Sequence, residues 1–324
     1  MDNPVWAQVT AELEAQRRRN EQENERRRTE IAEKQPQLDQ LIAQRHELIM
    51  GAVRGVFTGE TPRDPEQVMR EYNEKIAAGL ESAGYPRDYL APVCRCAQCG
   101  DQGYVYEGGL KKPCECLRRF YAQALARADI QTQAGQTFAR FDLNRFPDAP
   151  LPGTDVTQRE YMKLVRDKCQ AFADGVGSGP WKTLLLHGGS GLGKTFLLNC
   201  VGQAARDRGV ETLFVTAYGL LMALKNAYFS RSGETAWVYF DTPLLLIDDL
   251  GMEPLMENIT VEQIYHLLSE RLDHGLYTAV TTNLSRTELK ERYTERITSR
   301  LLDARSGVAI PFRGQDVRLM KNEA

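Results

Sequence analysis

Eight consecutive residues, Gly188-Gly189-Ser190-Gly191-Leu192-Gly193-Lys194-Thr195, carry the spacing G-x-x-x-x-G-K-[ST]. That spacing suits a bound triphosphate. The glycines let backbone N–H groups turn inward around phosphate oxygens with no Cβ in the way, and a helix opening at Lys194 adds its positive end. Lys194 would place a point charge on the β- and γ-phosphates, and the Thr195 hydroxyl would ligate Mg²⁺. An acidic pair, Asp248-Asp249, follows the apolar run Leu244-Leu245-Leu246-Ile247. Two carboxylates at the C-terminal tip of a buried strand stand where open α/β sheets bind ligands. Asp248 is the expected magnesium residue, and Asp249 the one that orients or deprotonates the attacking water. Asn283 ends the next strand, Tyr277–Thr282, where it would either position water beside the γ-phosphate or cap the following turn. Arg296 and Arg300 stand one helical turn apart. They read either as an arginine finger for a neighbouring subunit's γ-phosphate or as surface salt-bridge partners of Glu295 and Asp303.

A second chemistry sits upstream. Five of the seven cysteines, Cys94, Cys96, Cys99, Cys114 and Cys116, lie within 23 residues of one another. Cys96-x-x-Cys99 and Cys114-x-Cys116 supply four thiolates suited to a tetrahedral Zn²⁺ with no open position for catalysis. Cys94 is a fifth candidate that could displace Cys96. The segment between the pairs, a glycine-bounded turn and a short strand, has too few apolar residues to hold itself together without a metal. Disulfides are disfavoured because nothing at the N-terminus resembles an export signal.

These residues need elements to hold them. From about residue 157 the chain alternates: strands at 182–187, 211–216, 242–247, 277–282 and 308–312, with helices after each of the first four. Five strands alternating with helices predict a parallel sheet covered on both faces. Upstream, residues 5–50 read as helix broken at Pro36. The part between Gln16 and Glu30 is almost wholly polar, which suits a solvated spacer or a helix that meets a partner. Another helix is expected at 66–83, a loop at 59–65, and a Pro-, Gly- and Asp-rich linker at 135–155. The resulting division is a helical partner-binding region over 1–90, a zinc module over 91–130, a linker over 131–156 and an ATPase domain over 157–324.

Composition sets outer limits. The 324 residues have a net charge of −3, with 42% hydrophobic and 26% charged residues. That is a globular balance and excludes a generally basic nucleic-acid coat. The longest apolar stretches fall far short of the ~20 residues a membrane-spanning helix needs, so a cytoplasmic protein is expected. On the helix around residues 218–229, Lys225, Tyr228 and the nearby Arg231 mix charge with aromatic faces. That suits single-stranded DNA, although a core helix with an incidental lysine reads the same way.

The order of these motifs resembles AAA+ ATPases: a Walker A loop at Gly188–Thr195, Walker B at Asp248-Asp249, a sensor at Thr282-Asn283 and the Ser299-Arg300-Leu301 box. More narrowly, residues 130–320 resemble bacterial replicative helicase loaders of the DnaC/DnaI type and the related transposition helper ATPases. The phrase Thr137-Phe138-Ala139-Arg140-Phe141-Asp142 is similar to the segment that shapes the adenine pocket in that family. The resemblance implies a P-loop AAA+ core with no helical lid, preceded by helices and a zinc ribbon that contact the helicase. Arg300 then takes the finger role, with Arg296 as the alternative, and Arg318 is the one candidate for a second sensor. It implies an ATP-dependent loader that places the hexameric replicative helicase on single-stranded DNA during replication initiation. The ATPase domain would self-associate, and hydrolysis would be slow unless DNA or partner stimulates it. A transposition helper that binds duplex DNA and recruits a transposase shares the same core motifs, and a nucleotide-gated adaptor without meaningful hydrolysis is a third reading.

Overall fold

A computed structural model describes residues 4–58, 65–133, 135–230 and 236–319. Most of the loop expected at 59–65, and Arg231, lie outside the described residues. The chain divides into two compact units, residues 7–117 and residues 118–324 together with 1–6.

The first unit is built on helices α1 (Pro4–Lys34), α2 (Pro36–Thr58) and α3 (Pro65–Ser82). Pro36 opens α2 at a position where its missing N–H costs nothing. Ile31, Leu38, Ile42, Ile76 and Leu80 form the buried core between them. The polar middle of α1 has its own partners. Glu23 accepts from Arg26 and Arg27 at 2.8 Å each, and Glu30 accepts from Lys34 at 2.9 Å. Asn20 is buried and donates to Asp101 at 2.6 Å, while the Val93 amide donates to Asn24 at 2.8 Å. Polar side chains of α1 thus anchor the chain that leads into a hairpin of β1 (Tyr104–Glu107) and β2 (Leu110–Pro113), antiparallel with Tyr104 opposite Pro113.

Helix α4 (Glu115–Gln133) spans the division. Two 3-10 turns, Phe138–Arg140 and Leu143–Arg145, precede α5 (Gln158–Gly175). Helix α5 opens with a capping box in which Thr157 and Glu160 satisfy each other's backbone amides. Then come β3 (Thr183–Gly188), α6 (Lys194–Asp207), β4 (Thr212–Thr216), α7 (Ala217–Ser230), the short α8 (Trp237–Asp241), β5 (Leu244–Asp248), α9 (Thr260–Asp273), β6 (Tyr277–Thr282), α10 (Arg286–Leu302) and β7 (Gly307–Phe312). The five strands β3 to β7 form one parallel sheet in the order β4-β5-β6-β3-β7. Leu184, Leu185 and Leu186 of β3 and Leu244, Leu245 and Leu246 of β5 are completely buried. Each contributes about 1.5–3 kcal/mol by leaving water. The expected α/β class and strand count are as observed, whereas α8 has no counterpart among the expected elements.

Spatial order differs from chain order, and that difference makes the site. Strand β6 lies between β3 and β5, so the ends of β3, β6 and β5 stand side by side. One buried cation braces the far end of this array. Arg271, fully buried on α9, donates to the carbonyls of Tyr239 (2.7 Å), Thr242 (2.9 Å) and Tyr277 (2.5 Å), and to the Thr278 hydroxyl (2.9 Å). Burial draws its pKa down to about 9. Five fixed N–H donors are what let one side chain close so many backbone acceptors.

Candidate nucleotide site

The loop from Gly188 to Gly193 joins β3 to α6. Gly193 sits at the helix N-cap with φ 88°, and Gly191 has φ 72°. A Cβ at Gly191 would also collide with the Asp316 carboxylate. The tight turn therefore needs glycine for its conformation at both positions and for space at Gly191. Lys194, 5% exposed, folds back into this loop. Its Nζ donates to the carbonyls of Gly188 (2.8 Å) and Gly189 (2.6 Å) and to Asn283 Oδ1 (2.7 Å).

Across β6, the acidic pair meets the loop. Thr195 donates to the Asp248 oxygens at 3.0 and 3.2 Å, and Thr281 donates to Asp248 at 2.6 Å. Burial raises the Asp248 pKa, and the hydrogen bond from Thr281 works against that rise. A hydroxyl and a carboxylate in contact are the hard oxygen ligands Mg²⁺ takes, with water and phosphate completing its shell. Asp249 is next, at φ 55°. Its amide donates to the Thr281 hydroxyl at 2.9 Å, and Asn283 Nδ2 donates to its carboxylate at 3.3 Å. Lys194, Thr195, Asp248, Asp249 and Asn283 thus form one connected set. Asn283 bridges Lys194 and Asp249, a contact that neither expectation for this residue described.

Beside this set opens a cavity of about 470 Å³ lined by Phe141, Phe146, Phe196, Lys194, Asp249 and Asn283, among others. The ring centre of Phe141 lies 5.5 Å from that of Phe146 and 5.6 Å from that of Phe196. This aromatic wall suits the face of a base, and the charged set suits its phosphates. Phe141 belongs to the segment marked by resemblance. Phe146 and Phe196 escape sequence reasoning, and their only trace there is the cluster of phenylalanines flanking the linker and the P-loop. Arg318 also lines the cavity, 3.4 Å from Asp316. The segment bearing both is pinned to the P-loop by the Val317 amide, which donates to the Gly191 carbonyl at 3.1 Å.

Arg296 and Arg300 are absent from that lining. They border a separate basic depression with Tyr265, Lys290 and Arg305. Glu295 lies 3.6 Å from Lys290, and Asp303 lies 3.1 Å from Arg305. On α7 the inward face is apolar, with Leu220, Leu221 and Leu224 buried, while Tyr218, Tyr228 and Phe229 are exposed.

The Lys194 environment sets a pH dependence. Burial draws its pKa down to about 8, against the pull of Asp249 and Asp248. Bound phosphates would raise it again, so nucleotide binding takes up a proton between the two values. Affinity for Mg-ATP is therefore expected to be flat below pH 8. Above that it should weaken by up to about tenfold per pH unit, as read by titration at pH 7, 8 and 9.

In the first unit, Cys96, Cys99, Cys114 and Cys116 bring their sulfurs within 4.8 Å of one another. Cys96 and Cys114 sulfurs are 3.7 Å apart, and those of Cys99 and Cys116 are 3.4 Å apart. A tetrahedral zinc with Zn–S bonds of ~2.3 Å needs sulfurs about 3.8 Å apart, so the set fits that ion. The Gly103 amide donates to the Cys99 sulfur at 3.4 Å, and the Asp101 carboxylate accepts from the amides of Arg95 and Cys96. Cys94 is not in the group. Cys169 and Cys200 are buried in the core of the second unit, where burial raises both thiols.

Fold and site together define a P-loop nucleotide-binding core built on a five-stranded parallel sheet. Residues 180–321 match the family of IstB-like ATP binding proteins. The chain is 25% identical over 185 residues to the replicative helicase loader DnaI of Bacillus subtilis, covering 57% of this chain and 53% of that protein. It is 27% identical over 188 residues to a putative ATP-binding protein in an insertion sequence of Mycobacterium tuberculosis, covering 57% of this chain and 68% of that one. A crystal structure of the DnaC helicase loader is similar with a TM-score of 0.45 and 20% identity, covering 56% of this chain and 99% of that one. The chain thus spans about half the length of the DnaI relative. Among the described residues, no helix is long and apolar enough to cross a membrane.

Proposed function

We propose that this chain is an ATP-dependent loader that binds the replicative DNA helicase and helps place it on single-stranded DNA. The observation that carries the reading is the pairing of two parts in one chain: an ATP-binding domain whose similarity reaches DnaI, and a preceding helical unit with a four-thiol cluster. In this reading residues 1–90 and the zinc module at 91–130 grip the helicase, 131–156 lead into the adenine pocket, and 157–324 form the motor. Gly188 to Thr195 wrap the triphosphate. Lys194 neutralises its β- and γ-phosphates, and Thr195 and Asp248 hold Mg²⁺. Asp249 orients or deprotonates water, Asn283 positions it, and Arg300, or Arg296 in its place, completes the site of a neighbouring copy. The exposed rings of α7 beside Lys225 would stack on bases of the single strand. A site completed in trans turns over slowly when isolated, because the finger supplies ~10³–10⁵ of the rate. The cytoplasm is where such a protein would work.

Similarity to insertion-sequence ATP-binding proteins favours a second reading, a transposition helper that binds duplex DNA and recruits a transposase. One experiment separates the two: capture of the hexameric helicase of the same organism by the full chain, with and without Mg-ATP, beside footprinting on duplex DNA. The loader reading expects nucleotide-dependent helicase capture and little duplex protection. Strong duplex protection with no helicase captured would replace it with the helper reading.

A further inference from the structure

The loop after the acidic pair holds a buried carboxylate that no role above uses. Glu253 lies four residues past Asp249, and its side chain is 0% exposed. It accepts from the Gly251 amide of its own loop at 2.9 Å and from the Tyr293 hydroxyl of α10. Arg292 donates to the Glu253 carbonyl oxygen, and its guanidinium lies 3.9 Å from the carboxylate. Glu253 therefore grips two consecutive residues of α10. The next residue, Thr294, has φ 70° and ψ 167°, and the helix breaks there. A β-branched residue adopts that conformation only when its surroundings impose it. The second half of α10 carries Arg296 and Arg300, so whatever fixes the break sets where those arginines point.

An apolar side chain would fill the same space without the cost of burying a charge. What the carboxylate adds is direction: it accepts from the Gly251 amide of its own loop and from the Tyr293 hydroxyl of α10, with the Arg292 guanidinium 3.9 Å away, and so joins the Asp249 loop to the break in α10. We propose that Glu253 is a positioning residue for the arginine pair. It ties the loop bearing Asp249 to the kink at Thr294, and so aims Arg296 and Arg300 at nucleotide held by a second copy of this chain. This rests on the ATPase reading given above and adds the link between the hydrolytic loop and the finger helix.

The test uses the full chain with Glu253→Ala, and Tyr293→Phe as a milder variant that removes one hydroxyl. Glu253 does not line the nucleotide cavity, so Mg-ATP affinity is expected to stay within about twofold while turnover at saturating Mg-ATP falls by at least about tenfold. The deciding measurement is a mixture of Glu253→Ala with Lys194→Ala. Lys194→Ala copies have a dead site but well-aimed arginines, which they can lend to the intact sites of Glu253→Ala copies. The mixture should exceed the summed rates of its parts by about fivefold or more. A Glu253→Ala rate equal to wild type, or a mixture no faster than its parts, overturns the proposal. If Glu253→Ala does not fold, the same mixture made with Tyr293→Phe decides between these outcomes. If wild type is no faster than Lys194→Ala, it is the ATPase reading that falls.

Discussion

Asp249→Asn is expected to cut Mg-ATP turnover by about 100-fold or more, the share that a positioned base supplies, while Mg-ATP affinity stays within about threefold. The substitution isolates chemistry from structure unusually well. Asp249 has φ 55°, a conformation that asparagine tolerates as readily as aspartate. Its amide bond to Thr281 is a backbone contact, and Asn283 still finds an oxygen acceptor. Asp248, which meets Thr195 and Thr281, is unchanged and would still be available to hold magnesium. What is lost is the negative charge that, in the proposed role of Asp249, would face the attacking water. Steady-state hydrolysis in the presence of single-stranded DNA, set beside equilibrium binding of ATP, reads both halves of the prediction. Equal loss of binding and turnover would place Asp249 in nucleotide capture instead.

The second large effect concerns the cysteine cluster. The purified chain is expected to carry about one zinc per molecule, and Cys99→Ser or strong chelation should unfold the segment around β1 and β2. The hairpin is short, Tyr106 on it is 71% exposed, and its buried groups are chiefly the sulfurs and the Asp101 anchor. Structural zinc in comparable small modules contributes ~10–16 kcal/mol, as much as the whole stability of a typical domain, ~5–15 kcal/mol. Metal analysis, with proteolysis across residues 94–117, measures this, and ATP binding by the other unit serves as the control for specificity. Cys94→Ser should leave the zinc content unchanged, since Cys94 stands outside the group. A metal-free protein that resists protease there as well as the native one would remove the zinc reading.

Much of the nucleotide-binding core was legible because local signals agree there. Continuous Leu runs mark strands buried on both faces, the glycine spacing marks the P-loop, and the Thr157 capping box marks the start of α5. Strand order was not legible. Nothing in the periodicity of β6 says that it lies between β3 and β5, yet that placement is what puts Asn283 between Lys194 and Asp249. Long-range polar anchors were equally hidden. Arg271 has the spacing of a surface arginine, and its burial follows from carbonyls at the ends of α8, β5 and β6 that only the fold assembles. Glu253 likewise resembles a loop carboxylate until α10 packs on it. The polar middle of α1 shows the same limit: Asn20 and Asn24 are half of a contact whose other half, Asp101 and Val93, lies about seventy to eighty residues away.

The loop beginning at Gly188 is expected to wrap a triphosphate, with Asp248 and Asp249 completing the same crevice. Equilibrium titration of the full chain with Mg-ATP, beside Lys194→Ala, tests it most directly. One ATP is expected to bind per wild-type chain, with affinity reduced by about 100-fold or more in Lys194→Ala, which loses the charge held by Gly188, Gly189 and Asn283. Wild-type affinity in a folded Lys194→Ala protein, or no ATP bound by the wild-type chain, would contradict it.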